Sequence, residues 1–265
     1  MESVNKGTAL ITGASSGIGY HLTRLFAKDG YDLVLVARTA ENLSRLSEEL
    51  ASEFSTRRIT VVPKDLSIPN AAAEVYQETK KQGIDVNILV NDAGIGQRGF
   101  FWDIDFSKYQ EIINLNILAV VQLTQLYLND MRERNEGRIL NLASIAAYQP
   151  TPMLAVYAAS KAFILSLSDA LINELKDTNI TVTSLIPGPT DTDFFNKADM
   201  EHTVAASMAD DAEKVAKEGY EALMKGEHHV VATAKVGAQA AISTVMPNEL
   251  VSKMARKYME EDKSK

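Results

Sequence analysis

The sequence predicts an α/β fold: a doubly wound parallel sheet forming a single domain over residues 1–265. Three observations predict it. Short runs rich in Val, Ile and Leu recur without alternation, as strands covered on both faces do. Between them lie stretches with apolar residues at helical spacing. The runs end in glycines or isolated polar residues, and in such sheets ligands collect beyond the carboxyl ends of the strands.

The first run, Thr8 to Ile11, leads into Thr12-Gly13-Ala14-Ser15-Ser16-Gly17-Ile18-Gly19. Ile18, Leu22, Leu25 and Phe26 then recur at helical spacing, and Gly30 supplies a stop. Strand, glycine-rich turn and helix together suit a pyrophosphate, because glycines admit close backbone approach and the helix start offers N–H groups. A tight turn with no ligand is the alternative. The spacing is Gly-x-x-x-Gly-x-Gly, not the commoner Gly-x-Gly-x-x-Gly.

Tyr31 to Ala37 is the second strand. An acid at its end would hold the adenosine ribose hydroxyls. Here the end is Ala37, followed by Arg38. With no carboxylate to repel a 2′-phosphate and a guanidinium to bind one, this points to NADP(H) as cofactor. An ordinary surface cation is the competing reading of Arg38. Leu43, Leu46, Leu50 and Phe54 mark a helix, Ile59 to Pro63 a strand, and Pro69 to Gly83 bound another helix. Ile88 to Val90 ends in Asn91-Asp92-Ala93-Gly94, and Asp105 to Asn135 reads as a helix with Asn116 isolated in its apolar middle. A buried amide there needs partners. Arg138 to Leu142 leads to Ser144, and Ile180 to Ile186 to Pro187-Gly188-Pro189-Thr190-Asp191-Thr192.

Between these two strands, Tyr157 and Lys161 lie in a helical stretch ending at Leu175. A separation of four puts phenol and ammonium on one face. The cation would draw the phenol pKa down from about 10 towards neutrality, making Tyr157 a general acid or base. Alone, the pair also fits a half-buried aromatic beside a solvated charge.

Composition narrows the class. Lys and Arg number 27 against 35 Asp and Glu, a net charge of −8, which repels nucleic acid. The absence of Cys excludes disulfides, zinc–thiolate sites and thiol nucleophiles. The four His residues have no metal-ligand spacing, so no metal is expected. The beginning of the chain has no secretory pattern, and Ile117 to Leu128 reads as too short and too polar for a membrane span. A cytoplasmic protein is expected.

Taken together and in order, these motifs resemble the short-chain dehydrogenase/reductase family in its compact single-domain branch, from about Gly7 to about Val231. The resemblance implies a Rossmann-type sheet and hydride exchange between NADP(H) and a carbonyl or alcohol substrate. Tyr157 is then the proton donor or acceptor, Lys161 lowers its pKa and binds the nicotinamide ribose, Ser144 holds the substrate oxygen, and Asn116 positions a water in a proton relay. Gly13, Ser15, Ser16, Gly17, Ile18 and Gly19 line the pyrophosphate, Arg38 the 2′-phosphate, and Asp65 the adenine. Asn91 and Ala93 border the adenosine side, Thr190 and Thr192 hold the carboxamide, and Gly94, Pro187 and Gly188 also belong to the cofactor site. Asp92 replaces the family's usual Asn, and a slight change in hydrogen bonding is expected.

Three segments are expected to border an apolar substrate pocket: Gly96 to Trp102, Ile145 to Leu154, and Asp193 to Met208, within a lid at roughly 190–210. The charged helical tail, roughly 235–265, departs from the family's usual tetramer pattern, so the expected homo-oligomer is a dimer or a tetramer. The rival readings are a non-catalytic NADP-binding redox-sensing regulator and a sugar-nucleotide epimerase. The regulator usually lacks the Tyr or the Lys, and the epimerase needs a larger C-terminal region.

Overall fold

Successive strand residues point to opposite faces, so a strand apolar at every position needs helices on both sides. The computed structural model describes residues 6–54, 58–233, 236–237 and 246–262, and it meets this demand with one parallel sheet. The strands are β1 (Thr8–Thr12), β2 (Asp32–Ala37), β3 (Ile59–Pro63), β4 (Val86–Asn91), β5 (Gly137–Leu142), β6 (Ile180–Ile186) and β7 (His229–Val231). Their order is β3-β2-β1-β4-β5-β6-β7, which reverses direction between β1 and β4. The helices are α1 (Gly17–Lys28), α2 (Ala40–Glu53), α3 (Ala71–Lys81), α4 (Phe106–Ile113), α5 (Val120–Arg134), α6 (Ala155–Glu174), α7 (Phe194–Lys197), α8 (Val204–Ser207), α9 (Ala212–Lys225) and α10 (Asn248–Met259).

The alternation sorts the core into two layers. Ala9, Ile11, Leu33, Leu35, Ile88 and Val90 face one side and pack with Leu22 and Phe26 of α1, Leu43 and Leu50 of α2, and Val215 and Leu223 of α9. Their neighbours Leu10, Val34, Val36 and Leu89 face the other side, against Val75 of α3 and Leu123, Tyr127 and Met131 of α5. The buried Tyr127 hydroxyl is paired at 2.9 Å with the Thr79 hydroxyl, so this phenol carries no unmet polar group into the core.

The structure departs from the sequence reading in three places. The helix expected from Asp105 to Asn135 contains a π-helical stretch, Asn114–Ala119, between α4 and α5. The three-residue strand β7 is too short to show a period. The helical stretches Phe106–Arg134 and Ala155–Glu174 are each long and apolar enough to cross a membrane, contrary to the reading of Ile117 to Leu128. Leu115, Leu123, Tyr127 and Met131 of the first, and Ile164 and Leu165 of the second, are nonetheless buried in the fold. The C-terminal tail, expected to be helical, contains α10, which packs against α8. Residues 234–235, 238–245 and 263–265 of that tail lie outside the described residues.

Leu35 is fully buried in the first layer. Leu35→Ala is expected to destabilise the protein by about 2–5 kcal/mol in urea denaturation, with an unchanged m-value, through lost transfer energy and the cavity left behind.

Candidate active site

The site begins where β1 ends. Gly13 has φ +70°, and a Cβ on it would lie 2.7 Å from Asp92 Oδ2 and 3.0 Å from the Ala93 nitrogen. A Cβ on Gly19 would strike the Gly13 carbonyl oxygen at 2.5 Å and also the Asp92 carboxyl. Side chains at these positions would break the turn. Thr12 braces it: its hydroxyl accepts from the Asp92 and Ala93 N–H groups at 3.0 and 3.1 Å and donates to the Val90 carbonyl at 3.2 Å. Ser16 is the N-cap of α1 but makes no side-chain cap bond, leaving helix-start N–H groups for an external acceptor. Backbone free of side chains beside a helix N-terminus fits a pyrophosphate.

At the other end of the cleft, Arg38 follows β2. Its Nη1 lies 3.7 Å from Glu111 Oε1, and its side chain is half-exposed. Asp65 Oδ1 accepts from the Ser67 N–H at 2.9 Å and from its hydroxyl at 2.6 Å, shaping the turn after β3. The Asn91 side chain turns inward. It donates to Thr124 Oγ1 at 3.1 Å and Asn141 Oδ1 at 2.8 Å, and Asn141 donates onward to Ser168 at 2.9 Å. This amide therefore braces β4 against β5, and only the Asn91 backbone stands at the strand end.

Tyr157 and Lys161 sit one turn apart near the start of α6, which is packed over β5 and β6. Lys161 is only 4% exposed; its Nζ donates to the Leu142 carbonyl at 2.7 Å and lies 5.7 Å from the Tyr157 ring centroid. Ser144 and Tyr157 line the same cavity, and Ser144 favours the ionised form of the phenol. Ser144 also accepts from the Ala146 N–H at 3.1 Å, which fixes its rotamer at the end of β5. Asn116, in the π-helical stretch, accepts from the Ile95 N–H at 3.0 Å. It donates to the Ile95 carbonyl at 2.9 Å and to Ser160 at 3.0 Å. A Cβ on Gly94 would lie 3.4 Å from Lys161 Nζ and 3.5 Å from Asn116 Oδ1, so both groups face this glycine.

Electrostatics correct one expectation. Burial pushes the Tyr157 phenol up to about 12, an effect that Ser144 opposes and the Asp92 charge reinforces. Burial also pushes Lys161 down to about 8 against the pull of Asp92. With its ammonium directed at the Leu142 carbonyl, Lys161 does not bring the phenol towards neutrality. The buried Asp92 carboxyl is itself raised to about 7 by desolvation, although Lys161 and the Gly19 N–H favour its charge.

A cavity of about 230 Å³ joins much of this set. Gly13, Ser16, Gly17 and Ile18 line it on the glycine-turn side, with Ala93 and Gly94 just beyond β4. Ser144, Tyr157, Pro187, Gly188, Thr190 and Thr192 line it across the cleft. Ser15, Gly19, Arg38, Asp65, Asn91, Asn116 and Lys161 are outside that lining; Asn116 and Lys161 are buried directly behind it. Among the described residues, no three His, Asp or Glu side chains gather as a metal site.

The apolar walls differ from expectation. Leu154, Phe194, Phe195, Met200 and Met208 line the cavity as expected, but none of Gly96 to Trp102 does. Phe100 stacks on Trp102 at 5.0 Å, and Trp102 is 78% exposed. Ala255, Tyr258 and Met259 of α10 form part of the wall instead. Arg98 anchors them, donating from Nε to the Met259 carbonyl at 2.7 Å. The sequence carried a signal for this, since Val251, Ala255 and Met259 recur every four residues and are all buried.

Similarity to known proteins agrees with this arrangement. The family model described as short chain dehydrogenase matches residues 7–203. The chain is 32% identical over 188 residues to a ketoacyl reductase of Nostoc sp., covering 71% of this chain but only 65% of that protein. It is 28% identical over 251 residues to the 7beta-hydroxysteroid dehydrogenase of Clostridium sardiniense, covering 94% of each. The solved short-chain dehydrogenase from Sphingobium yanoikuyae in complex with NADPH superposes with a TM-score of 0.80 at 28% identity, covering 91% of this chain and 96% of that one. The chain belongs to the short-chain dehydrogenase family of oxidoreductases.

Proposed function

We propose that the protein is an NADP(H)-dependent oxidoreductase that interconverts a hydrophobic ketone or aldehyde and its alcohol. The observation that carries this reading is the cavity that Ser144 and Tyr157 line together with the glycine turn, Lys161 and Asn116 being buried behind it. A reduced nicotinamide bound in the cleft would supply the hydride. The chain's own groups would do the rest. The Tyr157 phenol, protonated throughout the neutral range, donates its proton to the carbonyl oxygen as the C=O bond becomes C–O. Ser144 hydrogen-bonds the same oxygen, where charge develops. Lys161 returns a proton to the phenolate, and Asn116 holds the backbone and α6 so that this group stays in place. A phenol held in its acid form suits carbonyl reduction.

The cofactor reading rests on Arg38 and on the missing carboxylate at the end of β2. Arg38 would exchange its Glu111 partner for a 2′-phosphate. The NADPH complex of the similar Sphingobium protein supports this choice. The apolar wall from α6, the 190–210 lid and α10 supports a bulky apolar substrate, as does likeness to a steroid dehydrogenase. We further propose one cytoplasmic domain that self-associates through the exposed Phe106, Ile113, Leu118 and Phe163 of the α4–α5 and α6 surfaces.

Three outcomes are expected. Tyr157→Phe lowers kcat for NADPH-dependent ketone reduction by roughly 10²–10⁴-fold while NADPH still binds, as measured by turnover and fluorescence titration. Unchanged turnover would remove Tyr157 from the reaction. Arg38→Asp weakens NADPH by at least about tenfold and leaves NADH much less affected; equal losses would remove Arg38 from the phosphate site. Light scattering gives a dimer or tetramer for the wild type and a smaller species for Phe106→Glu.

A further inference from the structure

Among the described residues, Asp92 is the acidic side chain that the glycine turn encloses, and the reaction proposed above gives it no task. It is 9% exposed, and it lines the same cavity as Gly13, Gly17 and Gly94. Its Oδ2 lies behind the turn, where Cβ atoms on Gly13 or Gly19 would collide with it, and the carboxyl accepts the Gly19 N–H in the first turn of α1. Its Oδ1 is buried with no hydrogen-bond partner. The titratable groups facing it are Lys161 and Tyr157, both from α6. The glycine turn and the start of α1 contribute only backbone N–H groups. An Asn here would fill the same space without charge. This chain instead holds an acid at the helix terminus where the cofactor's pyrophosphate is expected.

Two anions cannot share that terminus without strong repulsion, because little water reaches the space between them. Asp92 can escape by taking a proton, since among the described residues Lys161 is the cation that faces it and no second one shares the load. We propose that Asp92 is a positioning residue that couples NADP(H) binding to proton uptake, ionised opposite Lys161 in the free protein and neutral once the pyrophosphate rests on the turn. The inference rests on the cofactor reading above. Burial holds the Asp92 carboxyl near the middle of the physiological range, at about 7, so both forms are accessible.

Well below pH 7 Asp92 is already neutral, so binding takes up no proton there and meets no added repulsion. Above pH 7 the free protein must protonate Asp92 to bind, so affinity falls as pH rises. Lys161, pushed down to about 8, can also exchange protons on binding, and so can the cofactor's own 2′-phosphate. Both groups are still present after Asp92→Asn substitution; the 2′-phosphate contributes alike to both proteins, and Lys161, no longer drawn up by Asp92, takes up more protons in the variant, so any excess uptake by the wild type belongs to Asp92.

The experiment is isothermal titration of NADPH into wild-type protein and Asp92→Asn at pH 7.5, in buffers of differing ionisation enthalpy. Per NADPH bound, the wild type is expected to take up more protons than Asp92→Asn, by roughly half a proton or more. Between pH 6 and pH 8, the wild-type Kd should rise by about five- to tenfold relative to that of Asp92→Asn. Equal proton stoichiometry in the two proteins, with NADPH binding intact, overturns the role of Asp92 alone. Absence of NADPH binding to either protein overturns the cofactor reading and this inference with it. A merely structural Asp92 would alter stability or affinity at every pH but not the proton count. Should Asp92→Asn fold poorly, Asp92→Ser is compared with the wild type in the same way, and equal proton stoichiometry there overturns the coupling.

Discussion

A lysine ammonium with 4% of its surface exposed loses several kcal/mol of hydration unless the protein replaces it. The centre of this molecule is arranged around that requirement. The Leu142 carbonyl accepts from Lys161, the Asp92 carboxyl supplies opposite charge, and Gly94 leaves room for the ammonium beside Asn116. These groups come from the ends of β4 and β5, the π-helical stretch and α6. Any shift of one strand relative to another would leave a buried cation uncompensated, so the charge fixes how the pieces meet.

The sheet makes that convergence possible. Parallel strands put all their carboxyl ends on one edge, and the reversal of order between β1 and β4 opens a crevice there. The register is held from inside by polar links as well as by apolar packing. Asn91, Asn141 and Ser168 form a chain of hydrogen bonds from β4 through β5 to α6, the helix that carries Lys161. A slip of one residue would move these amides to the wrong face and break the chain. The same network that supports the core thus sets the height at which Tyr157 and Ser144 meet.

The walls above this fixed floor are of a different kind. They come from the 190–210 segment and α10, tied together by backbone contacts such as the Val204 N–H to the Glu260 carbonyl at 3.1 Å and by the Arg98 strap. Phe194 lies over Tyr157, with ring centroids 5.1 Å apart, so the apolar cover reaches the reacting phenol. Such a roof excludes water and strengthens every polar interaction beneath it. It also accounts for burial outweighing the influence of Ser144 in setting the phenol's acidity.

The sheet was legible in the chain alone, because strand runs such as Leu33 to Val36 and helix spacings such as Leu43, Leu46 and Leu50 are local patterns that packing then obeys. So was the tight glycine turn, since Gly13 and Gly19 leave no room for another residue, and so was the Tyr157–Lys161 spacing, which a helix converts into one face. Where the polar groups point was settled by packing between distant segments. Asn91 turns into the core, Trp102 turns out to solvent, and α10 takes the wall expected of the aromatic loop. The charges were settled in the same way. Asp92 and the Tyr157–Lys161 pair come from opposite sides of the cleft, and their acidities depend on mutual distance and lost water. Neither is a property of local sequence, because desolvation exists only once distant segments have closed around the group.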